Sequence, residues 1–158
     1  MRAKSAKKHI IQPDSKFNSI TIARIINRAM KSGKKTVIEN QVYSALDLLN
    51  KKTGKDPIEV LDQALKNITP QMEVRSRRVG GAAYQVPIPV RTHRGSTLAI
   101  RWLVNEAAKR PNAQFHTYAE KLAAEILEAT NEQGGAVQKK INAHKMADAN
   151  KAFAHFRW

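Results

Sequence analysis

Residues 75–91 read RSRRVGGAAYQVPIPVR. They lie at the middle of a chain otherwise rich in Ala, Leu, Lys and Glu, which favour helix. Here the hydrophobic period changes. Tyr84, Val86, Ile88 and Val90 alternate with Ala83, Gln85, Pro87 and Pro89, the spacing of a strand. Upstream, Met72 and Val74 alternate with Glu73 and Arg75, and Gly80-Gly81 separates the two runs. The pattern predicts a β-hairpin over 72–90, or a somewhat longer loop with strand-like stems, with the glycines between the two runs. Proline cannot donate to a ladder, and alternate residues of an antiparallel strand aim their backbone groups to the same side. Pro87 and Pro89 can therefore both face away from the partner strand while Tyr84, Val86, Ile88 and Val90 pair with it. The outer edge is then closed to further strands, so the hairpin is expected to project.

On either side the period is helical. Ile22, Ile25, Ile26 and Ala29 mark one apolar face, with Gly33 as the expected stop. Arg24, Arg28, Lys31 and Lys35 would form a second face. Ile38, Val42, Ala45, Leu46 and Leu49 predict a second helix ending at Gly54. Asp56-Pro57-Ile58-Glu59 reads as a capping box that opens a third, with Leu61, Ala64, Leu65 and Ile68 inside and Pro70 beyond. After the hairpin, Ser96 is the expected cap of a helix with inner face Ile100, Leu103, Val104 and Ala107. Phe115, Tyr118, Leu122, Ile126 and Ala129 repeat in the next. After Gly134-Gly135, Val137, Ile141 and His144 open the last. The expected fold is mainly α: about six helices with one projecting β-hairpin after the third. At 158 residues it suits one domain, 1–158, with a basic N-terminal arm at 1–17, the hairpin arm at 72–90 and an aromatic and basic tail at 149–158.

Charge bounds the function. Lys and Arg number 28 against 13 Asp and Glu, a net of +15. Residues 1–35 hold ten basic and one acidic residue and 75–110 hold eight and one, whereas 36–74 hold four and six and 111–158 six and five. A solubilising surface intersperses its signs; blocks of one sign suit a polyanion. The absence of cysteine excludes disulfides and thiol chemistry. No apolar run approaches the roughly 20 residues that span a bilayer. His9, His93, His116, His144 and His155 are scattered without metal-ligand spacing. His116 and Glu120 read as a surface helix pair. No nucleophile elbow or P-loop occurs. A binding protein is expected, with no catalytic residue, cofactor, metal or small-molecule substrate.

Arg75, Arg77, Arg78 and Arg91 flank the hairpin with no acid from residue 74 to 105, and their guanidinium groups suit phosphates or stacked bases. Gly80 and Gly81 permit positive φ and close approach of a partner's backbone. Charge alone adds Lys4, Lys7, Lys8, Arg24, Arg28, Lys31, Arg94 and Arg101 to the candidates for phosphate contact. In the tail, Phe153, His155, Phe156, Arg157 and Trp158 alternate rings with cations, which suits base stacking. Packing of Phe153 and Trp158 onto the body is the other reading, and both stay open. Trp102 reads as core or a half-buried platform.

SRRVGGAAYQVPIPVR at 76–91, NKAFAHFRW at 150–158 and SGKK at 32–35 resemble the seventh protein of the small ribosomal subunit, bacterial type, and the likeness runs along essentially the whole chain. Ala82-Ala83 departs from it, since relatives often carry other small or polar residues there. The resemblance implies a helical bundle with a hairpin arm. It implies direct binding to the 3′ major domain of small-subunit rRNA and nucleation of head assembly. It carries rRNA contact onto Lys34, Lys35, Arg75, Arg77, Arg78 and Arg91. It sets the tip, Gly80, Gly81, Ala82, Ala83 and Tyr84, toward exit-site tRNA, with mRNA nearby. The ninth and eleventh small-subunit proteins are the implied neighbours, in a cytoplasmic or organellar ribosome. Two rivals fit less well. An architectural DNA-binding arm puts its wedge at the tip, where this chain has glycine. A membrane-surface protein needs a basic helix face opposite an aromatic and leucine-rich one.

Overall fold

The computed structural model describes residues 10–156. Three helices, α1 (Ile20–Ala29), α2 (Lys35–Thr53) and α3 (Pro57–Ile68), precede a hairpin, β1 (Met72–Val79) and β2 (Ala82–Pro89). Then come α4 (Thr92–Lys109), α5 (Tyr118–Thr130), α6 (Gly135–Ala149) and a 3₁₀ turn at Lys151–Phe156. The mainly helical class and the place of the hairpin are as expected.

The apolar stripes become one core. α5 packs against α2, α3 and α4 and buries Leu122, Ile126 and Ala129 among Leu46, Leu49, Leu61, Ile68 and Leu103. Trp102 is half-buried against this cluster. Gly54 ends α2 with φ of 66°, the left-handed cap that favours glycine. Asp56 caps α3 by accepting the Ile58 N–H at 3.0 Å. The reciprocal box stands instead at α5. There Thr117 Oγ1 accepts the Glu120 N–H at 3.3 Å, and the Glu120 carboxylate accepts those of His116 and Thr117 at 2.8 and 3.4 Å. Those backbone bonds, from His116 first, hold Glu120 below the usual carboxylate range. His116 and Glu120 thus meet through backbone, not as a pair on one helix face.

Several element ends differ from the expected ones. α1 stops at Ala29, because Met30 already has ψ of 133° and the left-handed Ser32 and Gly33 reverse the chain. Arg24 and Arg28 therefore lie on α1, Lys31 on the turn and Lys35 at the start of α2, so the four do not form one stripe. α4 begins at Thr92, and Ser96 is no cap; its hydroxyl donates to the Thr92 carbonyl at 3.1 Å. Gly95 lets this early helix press on the end of α3, since a Cβ there would lie 2.9 Å from Thr69 Cγ2. Phe115 precedes α5, with the Arg110 guanidinium over its ring at 5.4 Å. In α6 Ala136, Val137 and Ala147 are buried while Ile141 is exposed, because α6 covers the hairpin with a different face. Asp14 is buried and accepts the Lys16 and Phe17 N–H groups and the Tyr43 hydroxyl. The N-terminal arm is thus anchored to the bundle at Asp14.

The hairpin closes in a two-residue turn, with Gly80 and Gly81 at φ of 57° and 90°, and not in a longer loop. Val90 N–H donates to the Gln71 carbonyl at 2.9 Å. By alternation Ile88, Val86 and Tyr84 share that pairing parity, and the prolines, opposite Val74 and Met72, do not. The sheet has two strands. It projects over only part of its length. Val86 and Pro87 are buried, α6 covers β1, the 3₁₀ turn covers β2, and His144 Nε2 accepts the Gln71 N–H at 3.0 Å. An isolated two-stranded hairpin is marginal in water, so its apolar stem takes this cover. The glycine tip is exposed.

Arg110 closes the far end of the bundle. Its Nη2 lies 2.7 Å from Glu125 Oε2, and its Nη1 donates to Glu128 at 2.9 Å. Glu125 is 2% exposed, and its other oxygen accepts the Ala136 N–H at 2.8 Å. Burial opposes the charge on Arg110, but hydrogen bonds to Glu128 and Glu125 outweigh it and hold the guanidinium above its ordinary value. Arg110→Ala leaves the Glu125 carboxylate buried without its cation, and urea denaturation should show a loss of about 3 kcal/mol or more. A loss below about 1 kcal/mol, the level of exposed pairs, would show that the cluster does not hold α4, α5 and α6 together.

Candidate nucleic-acid interface

The two basic blocks of the sequence meet between α1 and α4. Arg24 and Arg28 from α1, with His93, Thr97 and Arg101 from α4, line one cavity of about 290 Å³. Ile11 and Ile100 supply apolar wall, and no carboxylate lines it. The Arg101 Nε is buried and has no hydrogen-bond partner among the described residues. Gathering cations without an acid costs self-repulsion, which an anion relieves. Cations and a donor in one groove fit the phosphates of a polyanion.

A second group stands at the turn between α1 and α2. Lys31, Lys34 and Lys35 are exposed there, and Lys35 sits 3.4 Å from the half-buried Glu39 in an i,i+4 pair. Such a pair contributes little and leaves the cation available. Lys4, Lys7, Lys8, Arg157 and Trp158 fall outside the described residues.

The hairpin base is less uncompensated than the charge count implied. Glu73 lies one residue before the acid-free window, and residues 73 and 75 share a strand face. Arg75 Nε donates to Glu73 Oε1 at 3.0 Å and Arg94 Nε to Oε2 at 3.3 Å. Both arginine side chains remain about half exposed (57% and 43%), so one carboxylate orients two cations without covering them. Arg77, Arg78 and Arg91 are exposed, as are Gly80, Gly81, Ala82 and Ala83 at the tip.

Tyr84 is not part of that open tip. It is half-buried, with the Phe153 ring at 5.3 Å and the Phe156 ring at 5.1 Å. His155 lies 4.0 Å from Phe156, and its Nδ1 is 2.9 Å from the Ala152 carbonyl. The described tail thus packs onto the arm. Among the described residues no cluster of His, Asp and Glu could hold a metal ion, and no helix is long and apolar enough to cross a membrane.

A gathered cationic groove beside an arginine-flanked hairpin fits RNA, and comparison with known proteins gives its context. The family model for ribosomal protein S7p/S5e matches residues 1–151. The chain belongs to this family. It is 53% identical over 152 residues to small ribosomal subunit protein uS7 of Caldicellulosiruptor bescii, covering 96% of each chain. It is 52% identical over 157 residues to uS7 of Microcystis aeruginosa, covering 99% of each. As an S7p/S5e member it is a structural constituent of the small ribosomal subunit, an RNA-binding protein of translation and not an enzyme.

For an S7p/S5e chain, the residues missed by charge counting are informative. His93 and Thr97 join Arg101 in the groove at i, i+4 and i+8. That spacing is visible in the sequence, but only to a reading that starts α4 at Thr92. Glu73 was missed because its partners come from strand alternation and from a later helix. The ring cluster gives a test: Tyr84→Ala should speed amide exchange across 150–156 at least tenfold, with the α5 core unchanged. Unchanged exchange in that turn would mean that Tyr84 does not hold it.

Proposed function

We propose that this protein is a primary binder of the 3′ major domain of small-subunit rRNA and nucleates assembly of the subunit head. The observation that carries the reading is the α1–α4 groove, where Arg24, Arg28 and Arg101 stand together without a carboxylate. Counterion release drives such binding, and rigid helices select a folded RNA junction by its shape. Lys34, Lys35, Arg77, Arg78 and Arg91 extend the footprint, with Arg75 and Arg94 oriented by Glu73.

The hairpin tip serves a second contact. Gly80 and Gly81 carry no side chain, and Ala82 and Ala83 add only methyl groups, so a tRNA backbone can approach closely. In this reading the tip faces exit-site tRNA near the mRNA path, and the ninth and eleventh small-subunit proteins are neighbours. The tail then supports the arm through Tyr84.

Binding to a head-domain RNA fragment should weaken steeply with salt. Replacing Arg24, Arg28 and Arg101 together by alanine should flatten the slope of log K against log salt by about 2 to 3, roughly 0.7 to 0.9 for each phosphate no longer neutralised. An unchanged slope removes the groove from the footprint. A flatter slope for the Arg75, Arg77 and Arg78 triple alanine variant would include the hairpin base. Equal competition by duplex DNA would favour the architectural reading instead.

A further inference from the structure

We propose that a cleft between α1, α2, α4 and α5 receives one unstacked nucleotide of the bound RNA, with its base inside and its phosphate at the rim. This rests on the RNA-binding reading above and adds a site to it. The cleft has a volume of about 600 Å³, within the range of sites that enclose a small ligand.

Its walls have the chemistry of a nucleotide. Ala29, Ile38 and Val104 give an apolar interior that suits the faces of a planar base, with the exposed Ala108 at the rim. Asn105 offers an amide, a group that reads a base edge, and Tyr118 adds an aromatic side chain to the wall. Arg28 and Lys31 are exposed at the cleft and supply charge for the phosphate. Lys109, also at the cleft, is engaged by Glu106 at 2.8 Å.

A further observation favours this occupant: Arg28 lines both this cleft and the α1–α4 groove. A strand whose phosphates follow the groove is therefore led past the mouth of the cleft. Single-stranded bases splayed from an RNA junction are the usual targets of such pockets.

The test uses the full chain, a head-domain RNA fragment and base-specific chemical probing. Ala108 is exposed, so Ala108→Trp fills the cleft from its rim without disturbing the core. It should weaken binding about tenfold, the order of a single base-stacking interaction, with the salt slope unchanged. In this variant one nucleotide protected by the wild-type protein should regain Watson–Crick-edge reactivity. Wild-type affinity and footprint for a folded Ala108→Trp would overturn the cleft. If the groove triple variant still flattens the salt slope, RNA binding through α1 and α4 stands without it. Failure of the wild-type protein to bind the fragment would overturn both.

Discussion

Arg110 satisfies two carboxylates at once, and the joining of the last three helices depends on it. The guanidinium stands at the end of α4, Glu125 and Glu128 belong to α5, and Glu125 also accepts the first buried N–H of α6. Glu125, almost wholly buried, is tolerable only because each oxygen has a donor. Gly134 is required in the same place: its φ is 91°, and a Cβ would come within 3.1 Å of both carboxylates. Through α6 the cluster sets the platform on which the hairpin stem lies.

The same balance of paired and unpaired charge separates scaffold from surface. Arg110 and Lys109 sit in a basic stretch of the chain, yet both are engaged by local carboxylates. Arg75 and Arg94 share Glu73 but stay half exposed. Arg24, Arg28 and Arg101 converge where no carboxylate lines the groove. Cations far apart in sequence thus gain their meaning from the packing of α1 on α4, which concentrates them on one face.

The hairpin divides along its length. Near the bundle it is a covered stem, with Val86 and Pro87 buried and the 3₁₀ turn lying on β2. Beyond Tyr84 it is an exposed arm with a glycine turn. Tyr84 marks the boundary, since its ring is held by Phe153 and Phe156 from the other end of the chain. The proline parity closes the free edge, and the tail stiffens the arm at its middle.

Much was legible in the linear chain. Apolar positions at helical spacing located the core, because burying one face of each helix is the main local demand of folding. The alternation at 84–90, the glycine pair and the proline parity specified the hairpin, because strand geometry and proline's missing donor act within a few residues. The family follows from the same local motifs. Element ends at Ala29 and Thr92 were not legible, since a left-handed turn at Ser32-Gly33 and the contact of Gly95 with Thr69 decide them. Nor was the fate of each cation, because a carboxylate neutralises whichever guanidinium the fold brings near it. Composition and local pattern determine that this chain is a basic helical protein with a hairpin arm. Only the tertiary structure decides which of its charges are paired inside and which face a partner, because Coulomb and hydrogen-bond energies depend on distance in space and not on separation in sequence.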